Sequence, residues 1–118
     1  MKFLTALFCL MALSANALVV EYNQSNPAVT RSVTVTSATP TFIRVRPERG
    51  TIVEVSGTGS GTLNVSTLYN SPTTFTGFTP DPNGAVTGNT AWQFPAGLGF
   101  VGFYVTSGTW TMNVAQPK

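Results

Sequence analysis

Charged and chemically reactive side chains are scarce in this sequence. Only 8% of its 118 residues are charged, histidine is absent, and Cys9 is the single cysteine. General acid–base catalysis, nucleophilic catalysis and transition-metal binding most often use histidine, cysteine or paired acids. The composition therefore argues against an enzyme, a metal centre and a bound cofactor.

The net charge is too small to indicate a nucleic-acid-binding protein. Six basic residues stand against four acids, which leaves a formal charge of +2. A protein that follows a phosphate backbone needs a broad cluster of lysine and arginine. No such cluster occurs, so we expect no nucleic-acid partner.

The four acids are Glu21, Glu48, Glu54 and Asp81. Glycoside hydrolysis would need two of them to face one cleft at a defined separation. Glu48 is predicted in a hairpin loop, Glu54 opposite an arginine, and Asp81 between two prolines, so no catalytic residue is assigned. Oxygen atoms of the 80–89 loop leave a weak Ca²⁺ site as an alternative to no metal at all.

The first 17 residues have the pattern of a secretory signal peptide. Lys2 gives a positive start, residues 3–13 are apolar, and Ala15-Asn16-Ala17 is a small-x-small cleavage site. The apolar run is too short to span a membrane. We expect cleavage after Ala17, which removes the cysteine. Residues 18–118 then form one exported domain without a disulfide or stable membrane insertion.

Short segments with alternating apolar residues, separated by glycine and proline, predict an all-β domain. The fold class is a single antiparallel β-sandwich of about eight strands, with a jelly-roll or immunoglobulin-like arrangement. The candidate strands lie near 18–22, 29–36, 41–46, 51–56, 61–69, 74–78, 90–94, 100–106 and 109–114.

Two hairpins follow from the alternation. A Ser107-Gly108 turn predicts that Val105 faces Trp110 and Phe103 faces Met112, all on the buried side. The second hairpin surrounds residues 47–50. A three-residue loop with Gly50 at positive φ predicts that Arg44 lies opposite Glu54 on adjacent strands.

Aromatic residues near a proline–glycine segment are candidates for an interaction surface. Trp92, Phe94 and Phe100 alternate around residues 95–99, and Tyr104 falls on the face opposite the predicted core. Exposed rings of this kind stack on sugars or form subunit interfaces. The alternative is that Trp92, Phe94 and Phe100 belong to the core, where most aromatic residues lie.

Arg44, Arg46 and Arg49 form the one basic cluster. Arg44 and Arg46 alternate with Val45, which places both on one strand face. This face would bind an anion or an acidic glycan. The alternative is a solvated sheet face with one cross-strand ion pair, which contributes only ~0.2–1 kcal/mol.

The last third of the chain carries a family resemblance. The segments TFTGFTPDPNGAVTGNTAWQ and FPAGLGFVGFYVTSGTWTMNV resemble the closing strands of small accessory structural proteins of tailed bacteriophages, such as head-decoration and head-fibre β-sandwiches. The resemblance covers residues 29–118. It implies a non-enzymatic virion component that assembles as an oligomer on a capsid or fibre. The predicted leader favours instead a protein exported by a bacterium or placed by a phage in the host envelope.

Two functions are therefore expected. The first is a structural or assembly protein, present as a homo-oligomer or with capsid or fibre subunits as partners. Low surface charge favours it, since an isolated monomer depends on charge for solubility. The alternative is a secreted module that binds a carbohydrate or a cell surface.

Overall fold

The structure is a computed structural model that describes residues 18–21 and 29–117, which contain nine strands in two sheets. The antiparallel β-sandwich expected from the sequence is confirmed. The strands are β1 (Leu18–Val20), β2 (Val29–Thr36), β3 (Thr41–Arg44), β4 (Thr51–Gly57), β5 (Ser60–Ser66), β6 (Thr79–Pro80), β7 (Thr90–Phe94), β8 (Phe100–Ser107) and β9 (Thr109–Gln116).

Sheet I has the strand order β1-β3-β8-β5-β6, and sheet II has the order β2-β9-β4-β7. All neighbouring strands run antiparallel except β1 and β3. The predicted leader and its cleavage site lie outside the described residues. No helix in the described ranges is long and apolar enough to cross a membrane.

Alternation along the strands places the apolar side chains between the sheets. In β9, Trp110, Met112 and Val114 are buried, while Thr111 and Asn113 lie on the opposite face. The same period of two appears in β4 and β2, as expected for strands with one buried face, whereas the first four residues of β8 are all buried. The buried apolar residues between the sheets are Val35, Ile43, Val45, Val53, Val55, Leu63, Leu98, Val101, Phe103, Val105, Trp110, Met112 and Val114.

The predicted hairpin of β8 and β9 is wrong, because the two strands lie in different sheets. Val105 is opposite Gly61 in β5, and Trp110 is opposite Val35 in β2. Gly108, at φ 82°, carries the chain from sheet I to sheet II, and a Cβ atom there would overlap the carbonyl oxygen of Thr58. Only glycine fits so close an approach of two connections.

The predicted faces of β8 and β9 are nevertheless right. Trp110 is fully buried, and Tyr104 is 52% exposed. The rings of Phe103 and Trp110 meet across the sandwich with centroids 5.0 Å apart. Phe103 and Trp110, both predicted on the buried side but not as a pair, therefore make an edge contact between the two sheets.

The predicted pairing of Arg44 with Glu54 is also wrong. Arg44 is opposite Phe100 in sheet I, and Glu54 is opposite Ala91 and Asn113 in sheet II. Gly50 is not among the glycines with positive φ. The connection between β3 and β4 crosses from one sheet to the other instead of forming a hairpin.

A buried glutamine holds this crossing in place. The Oε1 atom of Gln116 accepts from the backbone N–H of Arg46 at 2.7 Å. Its Nε2 atom donates to the Arg46 carbonyl at 2.8 Å and to Thr51 Oγ1 at 3.1 Å. Since Gln116 is fully buried, these bonds satisfy a side chain that would otherwise be costly to bury.

The predicted strand at 74–78 is wrong as well. These residues form bends and a turn, and the sixth strand is the two-residue β6. The segment 67–78, here called the covering loop, lies against the outer face of sheet I. Its ring contacts are described below.

Candidate interaction surfaces

The space between the sheets is a packed apolar core. Its largest side chains, among them Trp110, Phe103 and Leu63, have no more than 1% of their surface exposed. The indole N–H of Trp110 donates to the Ser107 carbonyl at 3.2 Å, so its polar atom is also satisfied. Contacts with other molecules must therefore be made by the outer faces, the sheet edges and the loops.

The four carboxylates are dispersed over the surface. Glu21 pairs with Arg44 at 2.7 Å, and Glu48 lies 3.8 Å from Arg46. Asp81 accepts from an indole, and Glu54 lines a different groove. Among the described residues, no group of three or more histidine, cysteine, aspartate or glutamate side chains is placed to hold a metal ion.

The predicted platform of Trp92, Phe94 and Phe100 is not an exposed surface. Trp92 and Phe94, on β7, are half-buried and pack against the core. The Trp92 Nε1 atom donates to Asp81 Oδ2 at 2.9 Å, which fixes the ring from the edge of the sandwich. Phe100 is fully buried. Phe100 as an exposed contact is therefore wrong: its buried ring lies beneath Arg44 and lines the space under the covering loop, whereas the alternative of core packing describes Trp92 and Phe94.

Each nitrogen atom of the Arg44 guanidinium donates a hydrogen bond within the chain. Its Nε atom donates to Glu21 Oε1 at 2.7 Å, Nη1 to the Tyr69 carbonyl at 2.7 Å, and Nη2 to Ser71 Oγ at 3.0 Å. Its Cζ atom also lies 4.5 Å from the centre of the Phe100 ring. Arg44 thus joins β3, the residue after β1 and the covering loop.

Arg46 and Arg49 lie in the connection between β3 and β4, beyond the end of β3 at Arg44. The predicted shared strand face of Arg44 and Arg46 is therefore wrong. Arg46 pairs with Glu48, and its backbone is held by Gln116. The backbone N–H of Arg49 donates to the Arg46 carbonyl at 3.3 Å, so these two arginines share one turn, whereas Arg44 has a structural role in which its charge is paired with Glu21.

The outer face of sheet I carries a second apolar layer. Phe42 is fully buried, and its ring lies 4.8 Å from Phe75 and 5.1 Å from Phe78 of the covering loop, measured between centroids. Phe75 also meets Tyr104 edge-on at 5.3 Å. A Cβ atom on Gly102 would lie 2.9 Å from Phe75 and 3.0 Å from Phe42, so the bare glycine makes room for both rings.

Sequence reasoning missed this layer although a signal was present. Phe75 and Phe78 are three residues apart, so in a strand they would point to opposite faces. In the structure both rings pack on Phe42, which a loop allows and a strand does not. Leu68 and Tyr69 of the same loop are 54% and 59% exposed, and no sequence pattern singled them out.

A cavity of about 270 Å³ lies between the covering loop and sheet I. Here it is called the loop cavity. Its polar lining consists of hydroxyl and amide side chains, and its apolar lining includes Phe78. The lining residues are Ser66, Leu68, Asn70, Ser71, Pro72, Thr73, Thr74, Thr76, Phe78 and Phe100.

The outer face of sheet II is uncovered by any described loop of this kind and is polar but nearly uncharged. Among the outward-facing residues of sheet II whose side chains are described, Glu54 is the one charged residue. A groove of about 270 Å³ on this face is lined by Glu54, Val55, Ser56, Asn89, Thr90, Ala91 and Asn113. The described residues of this lining include no aromatic ring.

The four sheet edges are protected to different degrees. In sheet I, β1 has three residues, and β6 has two residues that include Pro80. In sheet II, β7 has five residues and is followed by Pro95. Short length and proline discourage pairing with another chain.

The β2 edge lacks these protections. It has eight residues in unbroken register with β9, from Val29 opposite Gln116 to Thr36 opposite Thr109. Within the described residues no second strand pairs with it. Arg31 is its one charged residue. An edge strand of this length presents a row of backbone donors and acceptors to any chain that approaches.

The comparisons with known proteins support the fold class and no family. No family model matches the sequence, and no curated protein matches it significantly. Among solved structures, peruvianin-I, a cysteine peptidase from Thevetia peruviana latex, has a TM-score of 0.50 at 15% identity, covering 78% of this chain. This chain spans about half, 51%, of the peruvianin-I chain.

Two further solved structures are similar at a slightly lower level. PliG from Aeromonas hydrophila, a periplasmic inhibitor of g-type lysozyme, has a TM-score of 0.49 at 14% identity, covering 86% of this chain and 98% of its own. Hydroxypropylphosphonic acid epoxidase from S. wedmorenis has a TM-score of 0.49 at 8% identity, and the match covers 76% of this chain and 43% of the epoxidase chain. At 15% identity, the peruvianin-I match establishes only a likeness of fold, because one fold serves many functions.

Proposed function

We propose that this protein is a non-enzymatic structural domain that assembles with copies of itself, as a virion accessory subunit or an exported surface component. The single observation that carries the proposal is the unprotected β2 edge of sheet II. Antiparallel pairing of two β2 edges would join two copies into one continuous sheet, with the same strand contributed by both partners.

The outward side chains of β2 favour such pairing. Ser32 and Thr34 are exposed, small and uncharged. Hydroxyl and β-branched residues opposite one another stabilise antiparallel pairs by about 0.2–1 kcal/mol each. Lysine, proline and β-bulges are the usual features that prevent edge strands from pairing. None of them occurs in residues 32–36.

The wider surface supports the same proposal. The outer face of sheet II is polar mainly through hydroxyl and amide groups. A monomer with so few charges has little electrostatic repulsion to prevent association. The dispersed carboxylates and the filled interior supply no pair of acids in a shared cleft. Both observations favour a contact surface over a catalytic centre.

The test compares the wild-type protein with two double variants that add the same charge to sheet II. Ser32→Lys with Thr34→Lys places two lysines on the edge strand, so a joined pair of edges would hold four lysines close together. Ser56→Lys with Thr111→Lys places two lysines on the same outer face, on the interior strands β4 and β9. Analytical ultracentrifugation gives the mass of each form across a concentration series.

We expect the wild type and the interior-strand variant to be oligomeric and the edge variant to be monomeric, with unchanged circular dichroism. A wild type that is monomeric at every concentration contradicts the proposal. Loss of the oligomer in the interior-strand variant alone would place the contact on the face of sheet II and contradict the edge.

A further inference from the structure

The loop cavity has the size and lining of a site for one small, polar, uncharged ligand. Its volume of about 270 Å³ lies below the ~300–1,000 Å³ of sites for larger ligands. None of the described residues in its lining is a carboxylate, a lysine or an arginine. Arg44, which lies beside it, already has its nitrogen atoms bonded to Glu21, Tyr69 and Ser71. A charged ligand would thus find no free counter-charge here.

The hydroxyl groups of the lining retain hydrogen-bonding capacity. Ser66 Oγ accepts from the N–H of Leu68 at 3.1 Å, and Ser71 Oγ accepts from Arg44 Nη2 at 3.0 Å. Since a hydroxyl both donates and accepts, each keeps its own hydrogen for a ligand oxygen. The side chains of Asn70 and Thr73 make no hydrogen bond within the described residues and are exposed.

The cavity also has an apolar wall. The Phe78 ring is half-buried and is held from behind by Phe42 at 5.1 Å and by Phe75 at 5.7 Å. Leu68 and Pro72 extend the same wall. An aromatic ring packed beside hydroxyl groups, whose hydrogens can rotate, suits a molecule that has an apolar C–H face and a rim of hydroxyl groups.

We propose that the loop cavity binds one neutral sugar ring, with Phe78 against the C–H face of the ring and Asn70, Ser71 and Thr73 bonded to its hydroxyl groups. This site goes beyond the proposed assembly function, because it lies on sheet I, whereas the β2 edge belongs to sheet II. The ring can be a free monosaccharide or the end of a neutral glycan chain, which share this chemistry.

The experiment is an NMR titration of the ¹⁵N-labelled full chain with D-galactose, D-glucose, D-mannose and N-acetyl-D-glucosamine. Glucuronic acid serves as a charged probe of similar size. We expect amide shifts confined to residues 66–78 with at least one neutral sugar, at a Kd of about 1–10 mM, as befits a single small ring. A neutral oligosaccharide that binds at least ~10-fold more tightly than the free sugar identifies a chain end as the natural ligand. Equal affinities identify the monosaccharide.

Three variants connect the shifts to the cavity. Phe78→Ala is expected to weaken binding at least ~10-fold, and Asn70→Ala and Thr73→Ala several-fold each. Because Asn70 and Thr73 are exposed, their variants test the site even if Phe78→Ala lowers stability. Asn89→Ala is the matched control, since Asn89 lines the groove of equal volume on sheet II, and it should leave binding unchanged.

The proposal is overturned by the absence of shifts with every neutral sugar. It is likewise overturned by shifts that centre on Asn89, by unchanged binding in both Asn70→Ala and Thr73→Ala, or by tighter binding of glucuronic acid than of its neutral counterparts.

Discussion

The outer faces of the two sheets differ in how they are covered. On sheet I the covering loop places Phe75 and Phe78 over Phe42, which is thereby fully buried outside the main core. On sheet II the corresponding surface is formed by small polar side chains such as Ser32, Thr34 and Ser56, which remain exposed. The two outer faces therefore differ: that of sheet I is covered by apolar packing, and that of sheet II is polar and exposed.

The difference separates two roles. The face of sheet I is stabilised from within the chain, by ring packing and by the Arg44 contacts to the loop. Within the described ranges, no other segment covers the face of sheet II or pairs with its β2 edge. Variants on sheet I should therefore change stability, whereas variants on the sheet II surface should change association.

The largest expected effects test whether the second apolar layer is as important as the main core. Trp110→Ala removes a fully buried ring between the sheets and should lower the free energy of unfolding by roughly 3–5 kcal/mol. Phe42→Ala removes an equally buried ring beneath the covering loop and should have a cost in the same range. Urea denaturation followed by circular dichroism measures both. A cost below about 1 kcal/mol for Phe42→Ala would show that the loop is only loosely attached.

The period of two in the sequence predicted the faces of the strands but not their neighbours. Alternation places Phe103 and Trp110 on the buried side whether they pair in one sheet or meet between two sheets, so both arrangements fit the same pattern. The turn residues Ser107-Gly108 are equally compatible with a hairpin and with a crossing. The crossing forms because β8 pairs with β5 and β9 pairs with β4. These pairings join residues that are distant in sequence, so local alternation cannot predict them.

The candidate sites were harder to predict than the fold. Trp92 and Phe94 lie beside a proline–glycine segment, which predicted an exposed aromatic surface. In the structure, both point from the short edge strand β7 toward the core. The pairing of Arg44 with Glu21 depends on the parallel association of β1 with β3, which local patterns do not reveal. The loop cavity arises from a segment that alternation wrongly assigned as a strand.

A smaller expected effect concerns the contact between the loop and sheet I. Gly102→Ala adds a methyl group 2.9 Å from Phe75 and 3.0 Å from Phe42, so the rings must move apart. Overpacking of this kind costs roughly 1–3 kcal/mol. Gly88→Ala is the matched control, because a Cβ atom there has nothing within 4 Å, and its effect should stay within ~0.5 kcal/mol. Thermal unfolding of the two variants under one buffer condition compares them. Equal stabilities of the two variants would mean that the Phe75 ring does not pack against Gly102.

The smallest expected effect on stability belongs to the polar anchor of the covering loop. Arg44→Lys keeps the positive charge and the pairing with Glu21, but an ammonium group cannot reproduce the planar fork that reaches the Tyr69 carbonyl and Ser71 Oγ together. Because Arg44 is partly exposed, with 22% of its side chain accessible, the cost should be about 1 kcal/mol or less. Glu21→Gln is the control, since it removes the charge of the ion pair and leaves both loop contacts in place.

Hydrogen exchange separates these two variants more sharply than global stability does, because it reports local opening. If Arg44 holds the loop against sheet I, amides of residues 67–78 should exchange faster in Arg44→Lys than in the wild type, while those of β9 stay unchanged. Glu21→Gln should leave the loop amides at their wild-type rates. Faster exchange in both variants would instead assign the anchor to the ion pair, and unchanged exchange in both would leave the aromatic rings as the attachment of the loop. Only the second of these results would confine the difference between the two sheets to ring packing.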